Sequence, residues 1–330
     1  MGRSPKVRVN KGCLPKGNAA FLVNAFGCTF ARFKMNTKIS WLLTGLLFTI
    51  LWSSAATATK IALLDAQPLV VAVCRFGIAA LLMLFIAHGI LRQKLPNRIE
   101  LKQLAIYGLL NITIYLGIYV IAMKEVTASI GALTIAASPV FISFLSVFVL
   151  KKPISVQVLL ALLICLFGFV VVAWPLFDGV SVTVKGLILL VSCMFSYSAG
   201  TIYFSSKKWD GLHLLTINGW QTLLGGIFLF PIMLITYKSG ANHFDKNFWI
   251  GTIWLATLVS VGAVWLWLKL IKEDAVKAGL WLFLCPIFGI IIAAILVKDR
   301  ISWHTFAGVA LVLSGLALSQ YEKRTETPME

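Results

Sequence analysis

The sequence contains few charged residues: Asp, Glu, Lys and Arg together make up 12% of its 330 residues. Soluble domains carry about 25%, so this chain does not have the polar surface that a soluble fold needs. Acidic residues are the scarcest, and none lies well inside a long apolar run. Those closest to such runs are Asp65, Glu125, Asp178, Asp274 and Asp299, all in loops or at the ends of the runs. A buried acid that binds and releases protons is therefore not expected.

Several chemical motifs are also missing from the sequence. The six cysteines form no C-x-x-C pair and no cluster with His, so we expect no disulfide framework, no metal site and no cofactor. No glycine-rich phosphate loop is present. Isolated Ser and His residues supply no nucleophile with its base, and we predict no catalytic residues. The net charge is +17, but the sequence contains no aqueous domain on which basic residues could form a binding face. We therefore expect no nucleic acid partner.

Long apolar stretches take up most of the chain, which is 59% hydrophobic. A helix needs about 20 apolar residues to cross the hydrocarbon core of a bilayer. We therefore predict an all-α integral membrane protein with ten transmembrane helices. The spans lie near 40–60, 68–91, 102–123, 127–150, 155–174, 183–204, 212–237, 247–270, 275–297 and 302–320.

Lys and Arg are distributed unevenly over the connections between these spans. If Met35 lies on the cytoplasmic side, the inner segments hold fourteen of them and the outer segments seven. Basic residues favour the cytoplasmic side, so we predict a multi-pass protein with both termini in the cytoplasm.

Residues 1–34 differ from the rest of the chain, because they hold seven basic residues, no acidic residue and an apolar patch too short to span a membrane. The stretch MNTKISWLL, from Met35, is typical of the start of a bacterial membrane protein. We predict a disordered basic N-terminal extension that precedes the natural start. An organelle-targeting or membrane-surface segment is the alternative.

One stretch of the sequence occurs twice. Residues 138–155 (SPVFISFLSVFVLKKPIS) and 285–302 (CPIFGIIIAAILVKDRIS) share Pro, Phe, Lys, Ile and Ser in register. We infer a first five-helix repeat at 35–174 and a second at 183–320, followed by a cytoplasmic tail at 321–330. Because each repeat has an odd number of spans, the second must enter the membrane from the opposite side. Such inverted repeats are typical of secondary transporters.

Four motifs identify a family. They are ILWSSAATATKIAL in the first span, CRFGIAALL in the second, TASIGALTIAASPVF in the fourth and AVKAGLWLFLCPIF in the ninth. Because these motifs occur in this order and recur in the second half, the chain resembles the EamA family of the drug/metabolite transporter superfamily over residues 40–320. The resemblance implies an exporter or permease for amino acids, other metabolites or drugs in the bacterial inner membrane.

The sequence departs from this family pattern at one turn. The resemblance implies an acidic residue in the turn after the fourth span, where this chain has Lys152, while the second repeat keeps Asp299. If the acid caps a helix or pairs across the turn, the two turns cannot have the same role.

Polar groups inside a bilayer are costly and therefore mark candidate sites. Arg75 is the clear charge within a span, at a depth of about 10 Å from Pro68 for a rise of 1.5 Å per residue. Its guanidinium is a candidate partner for an anionic group such as a substrate carboxylate. The alternatives are a structural role, in which it binds helix-end carbonyl groups between spans, and snorkelling to the surface.

The repeated stretch contains a matched pair of prolines, Pro139 and Pro286. A proline frees a backbone carbonyl group and bends the helix. We expect the pair to open a central cavity and to act as pivots, with ordinary tolerance of proline in packed helices as the alternative.

Aromatic and amide side chains within the spans supply the other candidates for substrate binding. They are Trp52, Asn111, Tyr115, Tyr119, Asn218, Gln221 and Trp281. The alternatives, which each residue taken singly favours, are helix–helix hydrogen bonding and placement in the aromatic belt at the membrane surface. Trp265 and Trp267, near the end of a span, are predicted to belong to that belt.

A secondary transporter for small amphipathic metabolites accounts best for the repeats, the paired prolines and the missing catalytic groups. A membrane-embedded enzyme and a non-transporting assembly protein are less consistent with them. Within transport, the alternative is a nucleotide-sugar or sugar-phosphate antiporter, which would require more inward basic residues than Arg75 alone. The expected partners are a small-molecule substrate and the lipid bilayer, with the protein as a monomer or homodimer. Without a buried acid, facilitated diffusion or exchange is expected rather than proton antiport.

Overall fold

The computed structural model describes residues 37–150, 156–174, 182–209, 211–267, 269–270, 281–282, 284–299 and 301–325. The predicted disordered extension, the Lys152 turn and the last residues of the chain lie outside this part. Every regular element within it is a helix, which confirms the prediction of an all-helical protein. From Trp41 onward the chain forms one compact unit.

The helices follow the predicted spans closely. Those of the first half are α1 (Thr37–Ala62), α2 (Pro68–Ile90), α3 (Arg98–Ala122), α4 (Ala128–Ala136), α5 (Ser138–Leu150) and α6 (Val156–Ala173). Those of the second half are α7 (Val184–Ser206), α8 (Leu214–Thr236), α9 (Lys246–Trp267), α10 (Cys285–Leu296) and α11 (Trp303–Thr325).

Six of these helices, α1, α2, α3, α7, α8 and α9, are long and apolar enough to cross a membrane, as judged over the described residues. The bent pair α4 and α5 makes a seventh if it is one span. The helices α6, α10 and α11 contain shorter apolar segments, and the predicted span of α10 includes residues 275–280, which are not described. The chain is a multi-pass membrane protein.

The bend between α4 and α5 measures 47° and lies just before Pro139. Proline has no N–H to donate to the carbonyl group four residues earlier, here that of Ile135. The hydroxyl of Ser138 donates a hydrogen bond to this carbonyl oxygen instead. The polar group freed by the proline is thus satisfied within the chain, as a membrane interior requires.

The helices α6 and α11 pack closely and run in opposite directions. A Cβ atom on Gly168 would lie 2.9 Å from the carbonyl oxygen of Gly308, and one on Gly315 would lie 2.8 Å from that of Ala161. Residue numbers that increase along one helix are matched by residue numbers that decrease along the other, so the two helices are antiparallel. Small residues permit this approach of two backbones.

The helices α2 and α8 show the same arrangement. Gly219 lies against Leu84. A Cβ atom added to Gly226 would lie 3.6 Å from the Cβ of Phe76. This pair is therefore antiparallel as well.

Two helices contain wide π-helical turns at equivalent positions of the two halves. One covers Leu109–Leu116 in α3 and the other Leu255–Ala263 in α9. A π turn adds a residue to the helix and is frequent at functional sites. A third such segment, Phe85–Ile90, ends α2.

Hydrogen bonds join the connections at one end of the helices. The carboxylate of Asp65 accepts from the backbone N–H of Phe248 at 2.9 Å. The buried side chain of Asn242 accepts from the backbone N–H of Gln67 at 2.8 Å and donates to its side chain at 2.9 Å. These bonds join the α1–α2 connection to the α8–α9 connection.

Acidic residues make further contacts at the same end. Asp299 accepts hydrogen bonds from both the backbone N–H and the hydroxyl of Ser129, each at 2.9 Å. The carboxylate therefore caps α4 in the other half of the chain. Glu125 accepts from the hydroxyl of Thr183 at 2.9 Å and pairs with Lys185 at 3.3 Å. The hydrogen bond from Thr183, followed by that from Lys185, lowers the pKa of the Glu125 carboxyl.

Candidate ligand-binding cavity

A cavity of about 350 Å³ lies between helices of both halves of the chain. This volume is within the range of small-molecule pockets, about 300–1,000 Å³. The lining is mostly apolar and aromatic, with a few polar side chains. Seven of the residues predicted from the sequence line it: Trp52, Arg75, Asn111, Tyr115, Tyr119, Asn218 and Gln221.

Arg75 supplies the positive charge of this cavity. Its side chain is only 7% exposed, so it does not snorkel to the surface. Its Nη2 donates to the hydroxyl of Ser260 at 3.4 Å, and its Cζ lies 5.4 Å from the centre of the Phe76 ring. Its Nε is buried without a hydrogen-bond partner. The described residues place no carboxylate within ion-pair distance of it.

The π-helical turn of α9 positions Ser260 for this contact. Its hydroxyl donates to the carbonyl oxygen of Leu255, five residues earlier, at 2.8 Å. The oxygen of the same hydroxyl accepts from Arg75. The partner of Arg75 is therefore a side-chain hydroxyl, and the predicted contact with a helix-end carbonyl group is not among the described hydrogen bonds.

Three amide side chains form a chain of hydrogen bonds along one wall. Asn111, in the π-helical turn of α3, donates to Gln221 of α8 at 3.3 Å. Gln221 donates in turn to Asn218 at 2.8 Å. The side-chain carbonyl oxygen of Asn111 and the side-chain amino group of Asn218 lie at the two ends of this chain of hydrogen bonds and make no bond within it. These ends can each hydrogen-bond a ligand without adding charge.

Tyrosine side chains form the part of the wall near Arg75. The ring of Tyr115 lies 6.2 Å from that of Tyr119 and 4.8 Å from that of Tyr197, between centres. The hydroxyl of Tyr119 is buried and has no hydrogen-bond partner. Arg75, Tyr115 and Tyr119 all line the same cavity.

Several lining residues were not predicted from the sequence, namely Tyr107, Tyr197, Phe204, Ser260 and Trp267. Tyr197 lies in the stretch MFSYSAGT (residues 194–201), which aligns loosely with LWSSAATA around Trp52 (residues 51–58). The likeness of these two stretches could have pointed to it. Trp267 was predicted to lie in the aromatic belt but lines the cavity and stacks on Phe48 at 4.9 Å. Trp265, two residues earlier, is 57% exposed.

Trp281 is not among the described lining residues, but it packs in one cluster with Trp52 and Trp267, which line the cavity. Its ring packs against Gly45 and lies 5.4 Å from that of Trp41, between centres. Gly45 is the residue that makes room for the indole, because any side chain there would overlap it. Pro139 and Pro286 are each the second residue of a helix, α5 and α10, and Pro286 is not among the described residues that line the cavity.

The cavity extends toward one end of the helices. Its lining includes Phe204, near the end of α7, and Leu214, the first residue of α8. The α1–α2, α3–α4 and α8–α9 connections, which carry the hydrogen bonds of Asp65, Glu125 and Asn242, lie at the opposite end and contribute no lining residue. In the described part of the chain, the cavity thus reaches one end while polar contacts join the loops at the other.

Apolar helices around a cavity with buried polar groups define a multi-pass membrane protein with an internal cavity. Residues 39–174 and 184–321 each match the model of the EamA-like transporter family. The chain belongs to this family.

Individual relatives support the assignment. An uncharacterized transporter of Archaeoglobus fulgidus is 25% identical over 84% of this chain and 96% of its own length. A probable amino-acid metabolite efflux pump of Escherichia coli is 23% identical over 84% of this chain and 94% of its own. One crystal structure matches with a TM-score of 0.60 at 18% identity, over 87% of this chain and 99% of the other. This last likeness concerns the fold alone.

Proposed function

We propose that the protein is a secondary transporter that moves small amphipathic metabolites, such as amino acids or drugs, across the bacterial inner membrane by alternating access. The observation that carries the proposal is the cavity, which is lined by both halves of the chain and reaches one end of the helices. A carrier needs such a site between two parts that move against each other. The Escherichia coli relative, named as a probable efflux pump, supports export as the direction.

Ten spans in two inverted repeats are part of this proposal. The Sγ of Cys165 lies 3.7 Å from the carbonyl oxygen of Val312, 147 positions later, which is the spacing of the sequence repeat. The two equivalent residues are therefore in contact in an antiparallel pair of helices. A two-fold axis in the membrane plane that passes between α6 and α11 produces this contact.

Polar contacts at the ends of the helices support the same arrangement. Asp299, just after α10, binds Ser129, at the start of α4. Leu150 ends α5, at the other end of the α4–α5 pair. In the proposed arrangement the ends of α5 and α10 face opposite sides of the membrane, as inverted repeats require, with both termini in the cytoplasm.

The bend before Pro139 and the proline at the start of α10 are proposed as the pivots of this motion. Helices α4 and α10 lie in contact, since a Cβ atom on Gly289 would lie 2.5 Å from the Cβ of Ala132. A change of angle at either proline would therefore move the partner helix.

The residues of the cavity favour a metabolite carrier over the alternatives. A nucleotide-sugar or sugar-phosphate substrate carries two or more negative charges, whereas Arg75 is the one cation among the described lining residues. These residues also include no carboxylate, which favours facilitated diffusion or exchange over proton antiport. They offer no nucleophile with a base beside it, so we propose no enzymatic role.

A test of this proposal does not require the substrate to be identified in advance. Proteoliposomes that contain the purified protein are loaded with a bacterial metabolite extract, and the compounds released are measured by mass spectrometry. At least one small metabolite should leave faster than from protein-free vesicles. An Asn218→Trp variant, which fills the cavity, should abolish this release.

An Asp245→Ala variant serves as the control, because Asp245 is exposed in a loop and makes no capping hydrogen bond. It should release the same compounds as the wild type. Equal rates for every compound in all vesicles would refute transport by this protein.

A further inference from the structure

We propose that the cavity selects its substrate by charge, and binds organic monoanions with an aromatic or apolar body in preference to zwitterions and cations. This inference rests on the proposed function, since it concerns the same cavity. It depends on which charged and polar groups the cavity offers and which of them lack a partner.

The first step concerns Arg75. A buried charge is normally paired or neutralised, because removing it from water is costly. Arg75 is 7% exposed, its Nε has no partner, and its other described hydrogen bond is a long one to a hydroxyl. A carboxylate bound here would accept from Nε and provide the missing counter-charge.

The second step concerns Tyr119, which provides a second donor. Its hydroxyl is buried without a hydrogen-bond partner, and the residue lines the same cavity as Arg75. A carboxylate has two oxygens that accept hydrogen bonds, so one anion would satisfy both unpartnered donors.

The third step concerns the balance of charge. The described lining contains Arg75 and no Asp, Glu, Lys or His. A monoanion would therefore make the occupied cavity neutral. A zwitterion would leave one positive charge uncompensated, and its ammonium group would have only amide oxygens and aromatic faces as partners, close to another cation. A molecule with only a positive charge would be repelled by Arg75 without any compensation.

The fourth step concerns the body of the substrate. The aromatic rings of Trp52, Phe76, Tyr115, Tyr197 and Trp267 line the cavity. Aromatic side chains bind flat apolar groups by stacking. The amide chain of Asn111, Gln221 and Asn218 can hydrogen-bond a neutral polar group of the same molecule.

The test compares ligands that share one skeleton. Binding of 3-phenylpropanoate, N-acetylphenylalanine, phenylalanine and 3-phenylpropanol to the purified full-length protein in lipid nanodiscs is measured by calorimetry. Phenylalanine differs from 3-phenylpropanoate only by its ammonium group, and the acetyl group of N-acetylphenylalanine removes that charge. The two anions should bind at least about tenfold more tightly than phenylalanine and the alcohol.

Variants separate a charge effect from a change of shape. Arg75→Gln should weaken the binding of both anions by about tenfold or more while changing that of 3-phenylpropanol little, and Arg75→Lys should restore part of the loss. Cys74→Ser, at the half-buried neighbour of Arg75, should leave all affinities unchanged.

Three results would overturn charge selection: phenylalanine binding as tightly as 3-phenylpropanoate, Arg75→Gln retaining full affinity for the anions, or no binding of any of the four compounds. The metabolite-release assay distinguishes this failure from failure of transport. If it releases only zwitterions or cations, transport stands and charge selection is wrong. If it releases nothing, transport itself is wrong.

Discussion

Asp299 caps α4 by binding Ser129, which lies 170 positions before it in the chain. Both hydrogen bonds from Ser129 converge on one oxygen of this carboxylate. An ionised acceptor at a helix start also interacts favourably with the helix dipole. The family resemblance suggested that an acid at this turn caps a helix or pairs across the turn, and here it binds the other half of the chain. The turn that carries Lys152 has no acid for an equivalent contact.

Replacement of Asp299 should therefore destabilise the protein. We expect Asp299→Ala to lower the free energy of unfolding by about 0.5–2 kcal/mol, the usual cost of losing a helix cap, and to lower the melting temperature of the purified protein. Asp299→Asn, which keeps an acceptor oxygen, should lose less. Asp245→Ala removes an acid of the same kind that makes no capping bond and should melt like the wild type. Equal melting of Asp299→Ala and Asp245→Ala would show that the cap contributes nothing.

Helix packing in this protein depends on glycine at a few close approaches. Between α6 and α11, a Cβ atom on Gly168 would lie 2.9 Å from the backbone oxygen of Gly308, and one on Gly308 would lie 2.6 Å from that of Gly168. Lipid tails are as apolar as the side chains, so association of membrane helices depends on close packing and hydrogen bonds. The π-helical turns of α3 and α9 are the second feature at this scale, since they direct Asn111 and Ser260 into the cavity.

A larger side chain at Gly168 should separate α6 from α11. We expect Gly168→Leu to cost about 1–3 kcal/mol, as overpacking usually does, and to reduce the amount of monodisperse protein after purification. The matched control is Gly77→Leu, because no atom lies within 4 Å of a Cβ added at Gly77 in α2. Size-exclusion profiles and melting curves of the two variants would show the difference. The packing interpretation would be wrong if Gly168→Leu behaved like Gly77→Leu.

At the scale of the whole molecule, the two ends of the helices differ. One end has connections joined by the contacts of Asp65, Glu125, Asn242 and Asp299, and the cavity reaches toward the other. An alternating-access carrier needs this asymmetry in each of its states and must reverse it during transport.

The proposed orientation can be tested by labelling. Single cysteines that replace Lys124, Lys238 and Lys298 should react with a membrane-impermeant maleimide added to intact cells, because these positions are assigned to the outside. Cysteines that replace Lys94 and Lys207 should react only after the membrane is broken. Labelling of position 298 together with position 94, from the same side, would refute the inverted arrangement.

The fold class could be predicted because long apolar runs leave few alternatives: a backbone in lipid must satisfy its own hydrogen bonds, and a helix does so within one segment. Candidate residues such as Arg75, Asn111 and Gln221 could be selected because a polar group within an apolar run is costly and therefore uncommon. Their convergence on one cavity is now visible, whereas their role in binding stays a prediction.

The sequence by itself thus determined the membrane class, the family and most of the polar residues that line the cavity. Only the tertiary structure decided that Ser260 contacts Arg75, that Trp267 lines the cavity, that Trp281 lies against Gly45 instead, and that Asp299 caps α4. These facts depend on how each helix is rotated about its axis and on which distant helix it meets. A wide π-helical turn changes that rotation for every residue beyond it, and the apolar pattern that marks a span does not reveal such a turn.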